Sequence, residues 1–519
     1  MQKRNVDDRL SNLPNDILVN ILDRLNVREA ARTSVLSRRW IQLPATMSQL
    51  TITAQDFCRP RTSMSDDELR RINAAVAEAT KSILARRDPG GCTIRLLSTT
   101  FFLRDDTPIS VGRSVGNAMA THEIEKAEFT VLTENQSIDF PIEDKLNYGI
   151  QFVSFFNECP NAFAGLTRLH LENLRFSESD FVLNILGTCK QLKCLSFVSC
   201  DTEDWITLQV EHEQLSELSI FDCQFDEVEL KWLPKLTRAN FEYWINFAEP
   251  PLSFGHVPLL EVVSLSNIAV SSHKMVKLST LLFETSVRDL RLGFRCEKIW
   301  VQPECWTRQL AYVFHQLRIV NLVEIPEGYD LTWTMFILEG APFLEELYMT
   351  VMDHHCEMQM DKEKRREGLY SEKKGVEWKS TTSNFKHHSL TNLIMFCFQS
   401  DDHMVRHVRR VLEAAVNLKD VYLRNMKNPS PFESNLFAYE VNVKLNVLCP
   451  AMMNGVGGEI YSRNVVTVDN RSAGHTVMQL LKQLSEPCAL GNCVGHSSVL
   501  SLRARARHGR LSFRRPRNE

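Results

Sequence analysis

A pattern of the form apolar-x-x-apolar-x-apolar recurs along the middle of the chain. Ten copies occur in order, and the first eight begin at steps of 21 to 30 residues, between positions 166 and 344. The second and third apolar positions are two residues apart, so they point to the same face of a short strand. We predict that stacked copies form a parallel sheet over a continuous core, which a single copy could not bury. The apolar positions are Leu166, Leu169, Leu171; Leu192, Leu195, Phe197; Leu215, Leu218, Ile220; Leu236, Ala239, Phe241; Leu260, Val263, Leu265; Val287, Leu290, Leu292; Leu317, Val320, Leu322; Leu344, Leu347, Met349; Leu390, Leu393, Met395; and Leu418, Val421, Leu423.

The step between copies lies in or near the period of leucine-rich repeats, which is about 20–29 residues. Helix-like segments such as 180–189 and 401–416 would return the chain between strands and shield the other side of the sheet. Strand-like pieces near Leu50, Ile94 and Phe129 would start the array less regularly. Any α/β protein gives occasional matches to the pattern, but ten in order favour an irregular leucine-rich-repeat solenoid of the α/β class.

The first fifty or so residues carry a helical pattern instead. Pro14 sits where a helix would begin, because its fixed φ suits the first turn, and Asp16 adds a carboxylate near the positive end of the helix dipole. Asn26 is expected to end this helix, and Ser37 can cap a third one. About forty residues rarely bury enough apolar surface alone, so this three-helix block over 8–48 needs a partner inside or outside the chain. The apolar residues at helical spacing are Ile17, Leu18, Ile21, Leu22 and Leu25 in the first helix and Val27, Ala30, Ala31 and Val35 in the second.

The segments LPNDIL at 13–18 and AARTSVLSRRW at 30–40 resemble the F-box, in the plant subfamily in which an F-box precedes leucine-rich repeats. The resemblance implies binding to the Skp-type adaptor of a Skp–cullin–F-box ubiquitin ligase. Some of the matching residues would only hold the three helices together. The sequence departs from the subfamily after Trp40, where another Trp is usual, and this affects the expected packing of the third helix. The matching residues predicted to bind the adaptor are Leu13, Pro14, Ile17, Leu18, Ile21, Leu25, Val35 and Trp40.

The rest of the chain divides by composition. The stretch 403–423 resembles the final helix and strand of these plant proteins, which is called an FBD-type region. The sequence after residue 501 has seven Arg against one acidic residue. The predicted segments are 49–165, irregular first repeats; 166–350, leucine-rich repeats; 351–389, a charged insertion; 390–427, final repeats with the FBD-like region; and 428–519, a divergent and partly disordered tail.

The composition predicts a folded chain with a large core, because 44% of its 519 residues are apolar and 24% are charged. The net charge of −4 gives no general case for nucleic acid binding. No signal pattern and no run of about twenty apolar residues is present, so we expect a soluble intracellular protein of the cytoplasm or nucleus, without membrane contact. Fourteen cysteines are scattered through the chain, and those beside strand-like positions are expected to be small buried hydrophobes: Cys194, Cys200, Cys223 and Cys397.

Motifs for catalysis are missing from the sequence. It has no glycine-rich phosphate loop, no HExxH and no cysteine with the neighbours of a nucleophile. The best metal candidate combines residues 354–356 with His387 and His388, but these lack a closed zinc spacing. We therefore predict no catalytic residue, no cofactor and no metal.

Three functions remain open. The preferred one is a non-catalytic substrate-recognition adaptor, in which the F-box binds the Skp-type adaptor and through it a cullin, while the repeats hold a protein substrate of unknown identity. The second is a repeat scaffold outside the ligase, supported only by the departure after Trp40. The third is a nucleic-acid-linked regulator acting through the Arg-rich tail, which predicts salt-sensitive binding.

Overall fold

The computed structural model describes most of the chain up to residue 424. The described ranges are 13–36, 38–58, 65–88, 91–134, 141–177, 180–204, 206–244, 252–267, 275–294, 299–305, 307–326, 329–352, 378, 385–398 and 402–424, with short strands at 443–444, 467–468, 503–507 and 510–514. The chain forms two compact units, the first of residues 1–240 with 251–259 and the second of residues 241–250 with 260–519. None of the described helices combines the length and apolar character that a bilayer crossing requires.

The N-terminal block is helical, as predicted. Helix α1 covers Asn15–Leu22, α2 covers Val27–Arg32 and α3 covers Arg38–Gln42, with 3-10 turns at Thr33–Val35 and Leu43–Thr46. Pro14 immediately precedes α1. The prediction that Asn26 ends the first helix is wrong, because α1 already ends at Leu22. Asn26 instead caps α2, and its side chain accepts a hydrogen bond from the Glu29 amide at 2.8 Å. Ser37, the predicted cap of α3, lies outside the described residues.

After the helical block, the first unit combines strands and helices as far as α8 and continues with strands alone. Its elements are β1 (Gln49–Thr53), a 3-10 turn (Ala54–Phe57), α4 (Asp66–Ala85), β2 (Leu96–Phe102), α5 (Thr107–Thr121), β3 (Ala127–Leu132), α6 (Ile142–Glu158), α7 (Pro160–Ala164), β4 (Arg168–Glu172), β5 (Arg175–Phe176), α8 (Phe181–Thr188), β6 (Cys194–Val198), β7 (Asp201–Thr202), β8 (Thr207–Glu211), β9 (Glu217–Phe221), β10 (Glu227–Trp232), β11 (Arg238–Trp244, which runs into the second unit) and β12 (Leu252–His256). Strands β1, β2, β3, β4, β6 and β9 pair in parallel in that order. A second parallel sheet joins β8, β10 and β12.

The second unit repeats the parallel arrangement. Its elements are β13 (Val262–Asn267), α9 (Leu278–Leu281), β14 (Asp289–Gly293), α10 (Arg308–Phe314), β15 (Ile319–Pro326), a 3-10 turn (Leu331–Thr334), α11 (Met335–Gly340), β16 (Glu346–Met352), β17 (Asn392–Phe396), α12 (Asp402–Ala414), β18 (Asp420–Arg424), β19 (Val443–Lys444), β20 (Thr467–Val468), β21 (Arg503–Arg507) and β22 (Arg510–Arg514). Strands β13 to β18 pair in parallel in chain order. The last four strands pair antiparallel.

The predicted apolar ladder forms the core of both units. All thirty residues of the ten copies are buried. In the first unit the middle positions Leu169, Leu195 and Leu218 are register partners on successive strands. In the second unit the same ladder runs from Val263 to Val421. The predicted α/β class, a three-helix block followed by parallel strands with helical returns, is therefore confirmed.

The long step between positions 344 and 390 does not interrupt the sheet. Strand β16 pairs directly with β17, with Leu347 opposite Leu393 and Met349 opposite Met395. The extra residues are thus inserted between neighbouring strands. Of the predicted charged insertion 351–389, residues 351–352 belong to β16, and residues 353–377 and 379–384 fall outside the described residues. Trp378 is described, and its ring centroid lies 6.0 Å from that of Phe336.

The cysteines follow the prediction with one correction. Cys200, Cys223 and Cys397 are buried, whereas Cys194 is only half-buried. Cys194 precedes the core residue Leu195 on β6, so the alternation of a strand turns its side chain away from the core. The cysteines within the described ranges are all free thiols.

Two buried histidines make the same kinds of hydrogen bond. Each of them lies three residues before the first apolar position of a repeat. Nε2 of His212 donates to the Cys189 carbonyl at 3.0 Å, and Nε2 of His387 donates to the Ala341 carbonyl at 2.9 Å. Nδ1 of each ring accepts from backbone amides of the following turn, for example Gln214 N at 3.1 Å. A carbonyl can only accept, so each ring is the neutral tautomer protonated on Nε2.

These histidines predict a loss of stability in mild acid. Burial lowers the pKa of both His212 and His387 below 6.5. The folded state prefers the neutral ring. The contribution of each ring to the free energy of unfolding is therefore complete above the unfolded pKa of 6.5, and it declines as the pH falls towards the folded pKa. We expect urea unfolding to show a lower free energy of unfolding at pH 5.5 than at pH 7.5.

The paired variant His212→Gln/His387→Gln should show a smaller pH dependence than the wild type in the same urea experiment. The dependence should not vanish, since burial also lowers the pKa of His407 on α12 to about 4. An equally steep pH dependence in the variant would contradict the assignment of these two rings.

Candidate functional site

The N-terminal helices divide the predicted site residues into an exposed and a buried set. Ile17 is 42% exposed, Ile21 is 37% exposed and Val35 is 85% exposed, and Pro14 is also exposed. Leu18 is fully buried and Trp40 is 3% exposed, while Leu13 and Leu25 are half-buried. The stripe on α1 is therefore wide because one edge packs inward and the other faces water.

Helix α1 shows how this division arises. Ile17 and Ile21 are four residues apart and share one face, whereas Leu18 and Leu22 share the neighbouring buried face. The helix ends at Leu22, so Leu25 lies in the turn that follows and not in the helix as predicted. Asp23, which directly follows α1, is held by a later part of the chain.

The exposed apolar residues are a surface that a partner could bury. Burying such a side chain completely contributes about 1.5–3 kcal/mol, so leaving several of them in water forgoes stability. Leu36, next to Val35, is also exposed. Exposed apolar side chains on short helices are the kind of feature through which one protein docks on another.

Arg39, which is not among the site residues predicted from the sequence, fixes the turn before α1. Its Nη2 donates to the Leu13 carbonyl at 2.6 Å, and its Nε donates to Asn15 Oδ1 at 2.7 Å. The guanidinium group thereby joins α3 to the residues on either side of Pro14. The RRW element of the sequence contains this arginine, but only its Trp was predicted as a site residue.

Asp23 fixes the helices to the first strand of the sheet. Its Oδ1 accepts from the Ser48 amide at 2.9 Å and from the Gln49 amide at 3.2 Å, and its Oδ2 accepts from Ser48 Oγ at 2.6 Å. Arg95 Nη2 lies 3.3 Å from Oδ2 of the same carboxylate. A buried neighbour, Arg87, donates to the Met47 carbonyl at 2.8 Å. The helical block is therefore attached to the repeats by a hydrogen-bonded joint and not only by a linker.

The remaining candidates for chemistry are the metal candidates and the cysteines within the described residues. No group of three or more His, Cys, Asp or Glu side chains that could hold a metal occurs among them. Of the predicted metal candidates, 354–356 lie outside the described residues and His387 is committed to backbone groups. Burial raises the pKa of the thiols of Cys159, Cys194 and Cys397 to about 11, so each is held as a thiol, which is the weaker nucleophile.

Comparison with known families and relatives agrees with this architecture. The F-box domain model matches residues 10–47, and the model described as the At1g61320/AtMIF1 leucine-rich-repeat domain matches residues 120–444, which is more than half of the chain. The F-box/FBD/LRR-repeat protein At3g52680 of Arabidopsis thaliana is 26% identical over 235 residues, covering 41% of this chain and 46% of the relative. The FBD-associated F-box protein At5g38590 of the same plant is 24% identical over 359 residues, covering 67% of this chain and 80% of the relative.

The names of these relatives confirm the resemblance to plant F-box, leucine-rich-repeat and FBD proteins. The chain spans about half the length of At3g52680 and of the FBD-associated F-box protein At3g52670, to which it is 25% identical over 228 residues.

Proposed function

Because the chain belongs to the family of the At1g61320/AtMIF1 leucine-rich-repeat domain and carries an F-box domain, we propose that it is a substrate-recognition subunit of a Skp–cullin–F-box ubiquitin ligase. The F-box helices bind the Skp-type adaptor and through it a cullin, and the repeats bind a protein substrate. The chain itself carries no catalytic step, and ubiquitin is transferred by other subunits.

The observation that carries the proposal is the set of exposed apolar side chains on helices whose other apolar residues are buried. In this proposal Pro14, Ile17, Ile21 and Val35 contact the adaptor, because their side chains remain in water in the free chain. Leu18 and Trp40 support these contacts from inside the block. Leu13 and Leu25, which are half-buried, lie at the margin.

The mechanism is proximity. Holding a substrate beside a conjugating enzyme replaces a bimolecular encounter by a local one and raises the effective concentration of the acceptor lysine. If the attachment of the helical block to the repeats bent freely, the substrate would sample many positions, and its effective concentration beside the conjugating enzyme would fall. The hydrogen bonds of Asp23 to Ser48 and Gln49 limit such bending, so they serve the same function as the adaptor contacts.

The proposal is tested by measuring binding of a purified plant Skp-type adaptor to the full chain by calorimetry. We expect one-to-one binding by the wild type and none by Ile17→Asp/Ile21→Asp, since two charges would be placed on the surface to be buried. Both positions are solvent-exposed, so this variant should keep the circular dichroism spectrum of the wild type. A folded wild-type chain that does not bind the adaptor would reject the proposal in favour of a scaffold outside the ligase.

A further inference from the structure

The last two strands of the chain form a hairpin in the most basic part of the sequence. Strands β21 and β22 pair antiparallel, with Arg503 opposite Arg514. Residues 487–519 contain seven Arg, no Lys and one acid, Glu519. Residues 425–486 instead contain five Lys and Arg against five Asp and Glu. The excess of positive charge in the C-terminal part of the chain is therefore concentrated at the hairpin.

The hairpin belongs to the sheet of the second unit, because the apolar ladder continues into it. On β18 the core residue Leu423 is the register partner of Val443, which in turn pairs with Val468 on β20. Val468 pairs with Leu511 on β22, and Leu511 pairs with Ala506 on β21. Directly opposite residues belong to the same face of a sheet, so these positions all lie on the face of the core ladder.

The arginines of the hairpin occupy the opposite face. Successive residues of a strand alternate between the two faces, so the neighbours of Ala506 and Leu511 belong to the face that the ladder leaves free. Tyr422 of β18 and its register partner Lys444 belong to this same face. The hairpin positions on this arginine face are Arg503, Arg505, Arg507, Arg510, Ser512 and Arg514, and those on the ladder face are Ala504, Ala506, Leu511 and Phe513.

The arginine face carries one sign of charge. Among the described strands from β18 onwards, the only acidic position on this face is Asp420 of β18, two residues before Tyr422. Three strand spacings separate β18 from β22. This is about 14 Å, which exceeds the Debye length of about 8 Å at physiological salt. The described strands therefore bring no acid to the hairpin that would offset its arginines.

We propose that the arginine face binds duplex DNA through its phosphate backbone. Guanidinium groups form bidentate hydrogen bonds with phosphate, and all the cations of the hairpin strands are Arg. A duplex carries one negative charge per about 1.7 Å of its axis, so several phosphates lie within the roughly 13 Å that a five-residue strand spans.

Two further features favour a duplex over a single strand. The arginine face has no aromatic residue among its hairpin positions, whereas proteins that hold single strands stack the bases on aromatic rings. A pair of antiparallel strands also has a width that the major groove of DNA admits. Phosphate contacts carry no sequence information, so the binding is expected to be independent of base sequence. This inference does not depend on the ligase role.

The first measurement uses the full chain and a fluorescently labelled DNA duplex of about two helical turns, followed by anisotropy at several salt concentrations. We expect the logarithm of the binding constant to fall linearly with the logarithm of salt concentration, with a slope of about −4.5 if five phosphates are neutralised. A single strand of the same length should bind more weakly. A wild type that does not bind the duplex would overturn the proposal, and polyglutamate that binds as tightly as DNA would replace it by docking of an acidic protein segment.

Removal of charge tests whether the hairpin is the binding site. Arg503→Gln/Arg505→Gln/Arg507→Gln should weaken duplex binding by about tenfold or more and reduce the salt slope by about 2.7, since three phosphate contacts are lost. The control Arg70→Gln/Arg86→Gln/Arg113→Gln removes the same charge from exposed positions of the first unit and should bind like the wild type. Equal losses in both variants would show attraction by overall charge alone and would overturn the proposal.

A second pair of variants tests the face itself at constant composition and charge. Arg505→Ser/Ser512→Arg exchanges two register partners, keeps five arginines on the arginine face and should bind like the wild type. Arg505→Ala/Ala506→Arg moves one cation to the ladder face and should reduce the salt slope by about 1. Wild-type binding by both variants would show that the register plays no part, as expected of an unstructured basic segment, and would overturn the assignment of the face.

The two proposals fail separately. The variant Ile17→Asp/Ile21→Asp should bind the duplex as the wild type does, and Arg503→Gln/Arg505→Gln/Arg507→Gln should bind the Skp-type adaptor as the wild type does. Duplex binding that follows the expected pattern in a chain that ignores the adaptor would reject the ligase role and leave the arginine face standing.

Discussion

The triple variant Ile17→Ala/Ile21→Ala/Val35→Ala is expected to bind the Skp-type adaptor about 100-fold or more weakly than the wild type. Binding energy in such interfaces is concentrated in a few buried anchors, each of which costs about 2 kcal/mol or more when truncated. Tenfold in affinity corresponds to about 1.4 kcal/mol, so the loss of two such anchors already reaches this range. Calorimetry of the full chain with the purified adaptor measures the change directly.

A matched control makes the result specific to the F-box surface. Ile142→Ala/Ile150→Ala removes the same atoms from two exposed isoleucines on α6, which are 59% and 57% exposed, and should leave adaptor affinity unchanged. Trp40→Ala should also abolish binding, but through loss of the helical block, which near-ultraviolet circular dichroism and thermal unfolding would show. A triple variant that binds as tightly as the wild type would reject the assignment of these side chains.

The repeat array could be predicted from the sequence because its cause is local and periodic. The middle position of the pattern is occupied by Leu169, Leu195 and Leu218. Residues at the same position of the pattern are register partners on neighbouring strands. The same reasoning recovers β17 after the long insertion, since Leu393 has the pattern although its distance from Leu347 does not fit the period. Apolar residues at a fixed spacing are sufficient to predict this core, and a single sequence shows that spacing.

For the candidate site, the sequence predicts which residues take part but not which of them are exposed and which are buried. Ile17 and Leu18 are adjacent, equally apolar and equally compatible with the helical stripe, yet one is exposed and the other is fully buried. The difference depends on how α1 is rotated against α3 and against the first strand. That rotation is held by Arg39 bound to Leu13 and Asn15 and by Asp23 bound to Ser48, all of which are contacts distant in sequence.

The back of the array was the least predictable part. The pattern specifies the ladder strands and leaves the return segments free, so nothing in the spacing indicates that α8 is followed by the strands β8 and β10. Leu183 of α8 and Trp232 of β10 line one surface pocket where this change of element occurs. Irregularity of the repeats weakens the sequence signal, and it gives the repeats with β8, β10 and β12 a surface that differs from that of the helix-backed repeats.

Phe152→Ala is expected to lower the free energy of unfolding by about 3–5 kcal/mol, the range for deleting a large buried aromatic side chain. Phe152 is fully buried on α6, and its ring centroid lies 5.9 to 6.4 Å from those of five other phenylalanines. These five come from α6 itself, α7, β5 and α8, so a single side chain joins four elements of the first unit: Phe155, Phe156, Phe163, Phe176 and Phe181. Urea unfolding followed by far-ultraviolet circular dichroism measures the loss.

The control Phe283→Ala makes the same chemical change at a position that is 43% exposed and should alter stability by no more than about 1 kcal/mol. Should Phe152→Ala fail to fold, Phe152→Leu keeps most of the volume and should cost about 1.5 kcal/mol or less. Equal stability of Phe152→Ala and Phe283→Ala would contradict the packing described for this cluster.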